Sequence, residues 1–380
     1  MRDMFDYLLW RGDLPFDRDP VNSVDALIFS TLVYLDFSGI VSGDFQGAMP
    51  LRAVAEELLA LPDASQRCRV KNDLKLLEAA AKTERFGAAR MVFYRNEVIP
   101  QMESQFAAVT WLLADGTAML CFRGTDNTLV GWKEDFNMSF QEPVPAQEKA
   151  LHYTRAFARI HDLPLRLCGH SKGGNLAVYA AARCTPEEQN RILEVYNNDG
   201  PGFTGGLMTD PGYRAMVPKI RTYVPQSSVV GMLLEHEEPY TVIHSRQVGI
   251  MQHDPYSWEV LGSRFETVEE ITGDSKFLNQ TIKTWLAGKS MAERNEFVDT
   301  VFDLLSSGSA DNTRQIMLPK NVLSYLRTLT DDEPMRRLLS KELSELVRTA
   351  AGLRRNRPAP QLPDPEEEAP ESTHSKGEPQ

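Results

Sequence analysis

Residues 163–183 read Leu-Pro-Leu-Arg-Leu-Cys-Gly-His-Ser-Lys-Gly-Gly-Asn-Leu-Ala-Val-Tyr-Ala-Ala-Ala-Arg, and this stretch constrains the fold most. Leu163, Leu165 and Leu167 alternate, which predicts a short strand. The small-residue run after Asn175 predicts a closely packed helix. Between the two lies Gly169-His170-Ser171-Lys172-Gly173. A serine thrown out on so sharp a turn needs neighbours without side chains, so that the helix start can pass close under the strand. This is the strand–turn–helix setting that a G-x-S-x-G nucleophile elbow requires. The helix then aims free N–H groups and its positive dipole end at the serine oxygen. The pentapeptide alone recurs by chance, and a Gly-rich turn holding an ordinary serine would read the same. The flanking strand and helix favour Ser171 as a nucleophile.

A second segment points the same way. Residues 107–125 carry an apolar run to Leu113, an Asp115-Gly116 turn, and then Ala118-Met119-Leu120-Cys121-Phe122, the pattern of a β-hairpin. The second strand ends in Phe122-Arg123-Gly124-Thr125-Asp126, and Trp132-Lys133-Glu134-Asp135 follows. An ester hydrolase needs two donors for its oxyanion, one after the nucleophile and one from an earlier strand–loop. Lys172 N–H is the candidate for the first. Thr125, through its N–H and its hydroxyl, is the candidate for the second.

At these residues the chain resembles the class 3 (fungal-type) lipases, in which F-R-G-[TS], W-x-x-D and G-H-S-x-G-G occur in this order. The resemblance covers about residues 107–255. More closely, Phe122 to Thr128 and Gly131 to Phe136 look like the bacterial Mbeg1-like proteins, lipase-like α/β-hydrolases without a settled substrate. Gly200-Pro-Gly-Phe, Val224-Pro-Gln-Ser-Ser-Val-Val-Gly and Gln252-His-Asp-Pro-Tyr-Ser-Trp are similar to that group as well. The resemblance implies an α/β-hydrolase fold, a mostly parallel sheet flanked by helices. In the lipases the aspartate matched by Asp135 is structural. The segment 126–146 is where they carry a lid; Trp132, Phe136, Met138 and Phe140 there could cover a site or be packed core.

At 380 residues the chain has room for one large domain with additions, or for two. Its 42% hydrophobic and 25% charged content is that of an ordinary globular protein. A net charge of −12 argues against electrostatic binding to nucleic acid or an anionic membrane. Cys68, Cys121, Cys168 and Cys184 lack metal-ligand spacing, and Cys121 and Cys168 read as small buried hydrophobes. The first residues lack a basic start and apolar run, and no 18-residue apolar stretch occurs, so a cytoplasmic protein without stable membrane insertion is expected.

Strands alternating with helices through the middle of the chain predict a sheet covered on both faces. The expected organisation is a helical N-terminal extension over 1–100, an α/β core over 101–262, a helical region over 263–354 and a disordered Pro- and Glu-rich tail over 355–380. Asn22 and Ser23 can cap a first helix, and Ser290-Met-Ala-Glu293 is a capping box before another.

A serine nucleophile needs a base at its oxygen and a carboxylate to orient that base. In this fold the chain order is serine, acid, histidine. Of seven histidines, His152 and His161 precede the nucleophile and His374 lies in the tail. His170 is expected to pack or hydrogen-bond under the elbow. His236, among Glu235, Glu237 and Glu238, reads as a solvated turn. His244 falls within a strand pattern, whereas His253 follows Gly249-Ile-Met-Gln in a strand-ending loop. A base must sit beyond the strand ends to reach the elbow, so His253 is the candidate.

The acid departs from the lipase pattern, because Ser228 stands where the aspartate of N-x-x-D-x-V-P would fall. Asp199 is the substitute. It ends the strand after the nucleophile helix, and adjacent parallel strands stand only about 5 Å apart. Its rival roles are to cap the Gly-Pro turn that follows or to bind the 203–215 loop. Ser228 or Asn198 could otherwise orient the imidazole as an uncharged partner. Asp254 is poorly placed for its own neighbour.

Gly288-Lys-Ser lacks the first glycine of a P-loop, Ser171-Lys172 is not a Ser–Lys dyad, and no cluster has metal spacing, so neither cofactor nor metal is expected. The sequence points to a serine-dependent ester hydrolase acting on a small-molecule ester or a lipid. The alternatives are a thioesterase or peptidase on the same site, or a lipase-like scaffold with an eroded triad. Oligomeric state is left open.

Overall fold

The computed structural model describes residues 2–126, 129–138, 141–308 and 319–355. Eight strands form one sheet, laid side by side in chain order: β1 (Met49–Pro50), β2 (Arg90–Ile99), β3 (Ser104–Leu112), β4 (Ala118–Phe122), β5 (Leu165–His170), β6 (Ile192–Asn198), β7 (Ile220–Pro225) and β8 (Tyr240–Ile243). β1 to β4 pair antiparallel, and β4 to β8 pair parallel. The hairpin β3–β4 turns at Asp115-Gly116. Gly116 takes φ +76°, and Asp115 Oδ1 accepts from Thr117 N and Oγ1 at 3.0 and 2.6 Å. Parallel neighbours need crossovers. Helix Pro145–Ile160 joins β4 to β5, and helix Lys172–Arg183 joins β5 to β6.

Alternation along each strand assigns its side chains to two cores. Met119 and Cys121 of β4 face one core, together with helix Ser23–Leu32; Ala118, Leu120 and Phe122 face the other, with helices Pro145–Ile160 and Lys172–Arg183. The sheet is therefore covered on both faces. Asn22 Oδ1 caps helix Ser23–Leu32 by accepting from Val24 N and Asp25 N. The helix buries Asp25 with Arg85 at 2.6 Å, and Tyr7 OH supplies a further bond to that carboxylate. Cys121 and Cys168 are cross-strand neighbours, fully buried, with sulfurs 3.1 Å apart.

The structure draws two boundaries differently from the sequence. The segment expected to be a helical extension supplies β1 and β2, so position 100 marks no break in the sheet. β2 escapes a periodicity reading because a bulge between Val92 and Arg95, with Phe93 at φ +55°, lets Met91 to Tyr94 all be buried in succession. Position 262 falls in the turn of a two-stranded ribbon, Val260–Leu261 with Arg264–Phe265, whose Phe265 belongs to the main core. Beyond it lie helices Gly273–Ala287, Met291–Ser306, Pro319–Asp331 and Glu333–Arg355. Ser290 and Glu293 form the capping box ahead of the second. The tail from 356, with His374, lies outside the described residues. Among the described residues no helix is long and apolar enough to cross a membrane.

Candidate active site

The elbow begins where β5 ends. Ser171 takes φ +60° and ψ −135°, a region that non-glycine residues hold only when their surroundings over-determine it. The surroundings do so here. Ser171 N–H donates to Asn198 O at 2.9 Å, and Ser171 O accepts from Gly174 N–H at 2.9 Å. A Cβ on Gly169 would lie 2.1 Å from the Gly173 carbonyl, and a Cβ on Gly173 would lie 2.1 Å from Phe122 O. Only glycine at both positions lets the helix start press against β4 and β5. The result is a serine 8% exposed at the mouth of helix Lys172–Arg183.

Gly124, just past β4, lies against the same turn; a Cβ there would stand 2.5 Å from His170 O and 3.1 Å from Ser171 Cβ. That brings Thr125 beside the elbow. Neither Thr125 N–H nor Lys172 N–H is bonded to a backbone carbonyl outside its own element among the described residues. First-turn helix N–H groups lack intrahelical partners, so that of Lys172 can meet an oxyanion. The Thr125 hydroxyl is different: it donates to Asp135 Oδ2. The hydroxyl expected to serve the oxyanion is therefore engaged by Asp135, which leaves the Thr125 N–H as the candidate donor.

The Lys172 side chain turns away from the mouth into the protein. Its Nζ donates to Glu134 Oε2 at 2.8 Å, to Gln105 Oε1 at 3.2 Å and to Gln105 O at 3.1 Å. Glu134, wholly buried, also accepts from Gln105 N–H and Ala146 N–H, each at 3.0 Å. A buried ion pair holds only when its remaining hydrogen-bond capacity is met, and here it is. Asp135 Oδ1 stands 3.7 Å from Lys172 Nζ. Desolvation pushes the Asp135 carboxyl up to about 6, against the opposing pull of Lys172 and the Thr125 bond.

The register His170↔Asn198 puts the next residues, Ser171 and Asp199, at adjacent strand ends. Asp199, at φ +54°, is wholly buried. Its Oδ2 stands 2.6 Å from His253 Nδ1. Its Oδ1 accepts from Ser228 Oγ at 2.5 Å and from Gly231 N–H at 3.2 Å. Ser228 thus orients the carboxylate and not the imidazole. Asn198 does not reach the imidazole either, since its Nδ2 donates to Ser30 Oγ and Gly169 O, each at 3.2 Å.

His253 ends the turn Gly249–His253 with its side chain 24% exposed. The turn is pinned through Gln252. Its side chain accepts from Ser227 N–H at 2.7 Å and donates to Gln247 O at 2.8 Å, and its carbonyl accepts from Trp258 Nε1 at 2.9 Å. The His253 carbonyl, in turn, accepts from His170 Nε2 at 2.8 Å. A carbonyl only accepts, so His170 carries its proton on Nε2, and Nδ1 accepts from Tyr34 OH at 3.0 Å. Desolvation, His253 and Arg69 hold His170 well below its ordinary pKa, hence neutral. The His253 loop is tied to the residue that precedes Ser171, with the two ring centroids 4.6 Å apart. Among the described residues no hydrogen bond joins Ser171 Oγ to His253, a contact that often tightens only when substrate binds.

The other candidates lie elsewhere. His244 Nδ1 pairs with Glu259 at 2.8 Å on the surface, and His152 is exposed. His161 stacks on Phe157. Asp254 caps its own short turn by accepting from Tyr256 N–H at 3.3 Å. His236 is not on a solvated turn. Its side chain, 7% exposed, lies between Glu238 Oε1 at 3.0 Å and Gly231 O at 2.9 Å, and Glu238 also accepts from Tyr213 OH and Thr222 Oγ1. Three neighbouring glutamates suggested water, but one of them faces inward. Within 126–146, helix Leu129–Asn137 holds Glu134 and Asp135; Met138 is buried, Phe136 is exposed on one side, and Phe140 and the Trp132 side chain lie outside the described residues. No cluster of three or more metal-ligating side chains occurs among the described residues.

A mostly parallel sheet between helix layers, with a serine on a strained strand-to-helix turn, an acid just past the next strand and a histidine in a loop beyond the last, is an α/β-hydrolase fold. The Mbeg1-like family model matches residues 80–303, more than half of the chain, and the protein belongs to that family. None of the curated proteins matches it. Three solved chains do; one is a crystal structure of M37 lipase, 13% identical, covering 55% of this chain and 69% of that one at a TM-score of 0.35.

Proposed function

We propose that the protein is a serine hydrolase that cleaves a carboxylic ester through an acyl-enzyme. His253 Nε2 takes the Ser171 proton as Oγ attacks the ester carbonyl carbon. The carbonyl electrons move onto oxygen, where Lys172 N–H and Thr125 N–H receive them. Asp199 holds the Nδ1 proton of His253 and stabilises the imidazolium that forms. Collapse expels the alkoxide, which takes the proton from His253. Water then repeats the sequence on the acyl-enzyme and releases the acid.

The observation that carries this reading is the Asp199–His253 bond of 2.6 Å. A buried carboxylate fixes an otherwise mobile imidazole in the tautomer a general base needs, on a loop anchored to the residue before Ser171. The scaffold reading drew on the missing aspartate at 228; a carboxylate supplied from β6 removes that ground. The substrate is a small-molecule ester or a lipid; a thioester or peptide would engage the same groups. Turnover of p-nitrophenyl butyrate by the wild type and its absence in Ser171→Ala are expected. Equal rates for the two proteins would end the proposal.

A further inference from the structure

Helix Leu129–Asn137 carries residues that reach in two opposite directions. Glu134 and Asp135 reach inward. Glu134 holds Lys172, whose N–H is one oxyanion donor, and Asp135 holds the hydroxyl of Thr125, whose N–H is the other. Lys133 and Phe136, one turn apart, share the outward face. Lys133 Nζ lies 2.7 Å from Asp299 Oδ1 and 2.7 Å from Glu103 Oε1, and its side chain is only 18% exposed. Phe136 packs edge-on against Phe302 with ring centroids 5.9 Å apart. Asn137 Nδ2 adds a bond to Glu103 Oε2 at 2.9 Å. Asp299 and Phe302 are themselves one turn apart on helix Met291–Ser306, which contributes nothing to the sheet.

We propose that Lys133 is a positioning residue for the oxyanion donors, and that helix Met291–Ser306 is part of the catalytic support acting through it. The proposal rests on the hydrolase reading above. The inward bonds alone leave the short helix hinged on two carboxylates. The outward pair of contacts, one ionic and one aromatic, fixes its rotation and its distance from the elbow. Both donors depend on the same turn of helix, so a small shift moves Thr125 and Lys172 together. Donor placement matters steeply; a displacement of about 1 Å can cost about a hundredfold in rate. The Lys133 ion pairs themselves add little stability, since their carboxylates are largely exposed. Phe302 is buried in a small core of its own, so a thermal melt accompanies the double variant.

The test uses full-length protein and three variants: Lys133→Met, the double variant Asp299→Ala/Phe302→Ala, and Lys133→Arg. Lys133→Met and the double variant should lower kcat for p-nitrophenyl butyrate by roughly tenfold or more, with KM within about twofold, because the donors act in the transition state. Lys133→Arg, which keeps the charge and the reach, should restore most of the loss. Hydrogen exchange at peptides covering 122–126 and 171–174 should quicken in the first two variants and not in the third. An unchanged kcat with unchanged exchange overturns the proposal. So does a rise in kcat, which would make the helix a cover and not a support. If the wild type shows no Ser171-dependent turnover, the hydrolase reading has failed, and exchange alone then decides whether the C-terminal helix is coupled to the elbow.

Discussion

Replacing Asp199 by asparagine asks whether the buried carboxylate sets the proton on His253. Ser228 Oγ and Gly231 N–H both point at Oδ1, at 2.5 and 3.2 Å, and a peptide N–H can only donate. In Asp199→Asn the amide oxygen must take that position. The NH2 group is then left facing His253 Nδ1 across the 2.6 Å contact. Two donors cannot share that line, so Nδ1 gives up its proton and the ring carries it on Nε2. An imidazole in that tautomer cannot accept the proton of Ser171. The wrong tautomer in a comparable triad costs about 10⁴ in kcat, or about 5 kcal/mol at 1.36 kcal/mol per tenfold. The asparagine fits the same space, so folding should survive. The assay is kcat for p-nitrophenyl butyrate beside a thermal melt. A folded Asp199→Asn protein with kcat within tenfold of the wild type would refute the role of this carboxylate.

Three further expectations follow from the same geometry. Ser228→Ala removes a hydrogen bond to a buried charge, worth about 1.5–3 kcal/mol, so kcat/KM should fall roughly ten- to a hundredfold, less than for Asp199→Asn; an unchanged value means that Ser228 does not steady the acid. Gly173→Ala sets a Cβ 2.1 Å from Phe122 O, and urea denaturation should show a loss well above the ~1 kcal/mol of an average substitution; a loss below that contradicts the close approach at the elbow. Asp135 is held up at about 6 from 3.8 by desolvation, so the folded chain keeps a proton that the unfolded chain sheds in that window, and this group's contribution to stability falls as pH rises through it. Asp135→Asn should therefore gain Tm relative to the wild type between about pH 4 and 7; a constant difference would show that Asp135 ionises as an ordinary carboxylate.

Legibility in the sequence followed the range of the interaction. The hairpin β3–β4, strand β5 and the elbow were readable, because alternation, Asp-Gly and paired glycines act over a few residues. The meeting of Asp199 with His253 was reachable by one further step, the spacing of neighbouring parallel strands. β2 was not, since its bulge breaks the period of two. Nor was the bond from Ser228 to Asp199, because a serine in a loop gives no sign of which distant carboxylate it will face. Tyr34, whose hydroxyl meets His170 Nδ1 across 136 positions of chain, left no local trace at all. Nor does the sequence pair Glu134 with Lys172, which become a buried pair only once helix Leu129–Asn137 docks beside helix Lys172–Arg183.

A fluorophosphonate probe with peptide mapping by mass spectrometry addresses the nucleophile itself, independent of any guess about substrate. The expected result is a single adduct on the peptide containing Ser171, absent in Ser171→Ala and much slower in His253→Ala. An adduct on another serine, or labelling of Ser171 at the same rate without His253, would contradict the account.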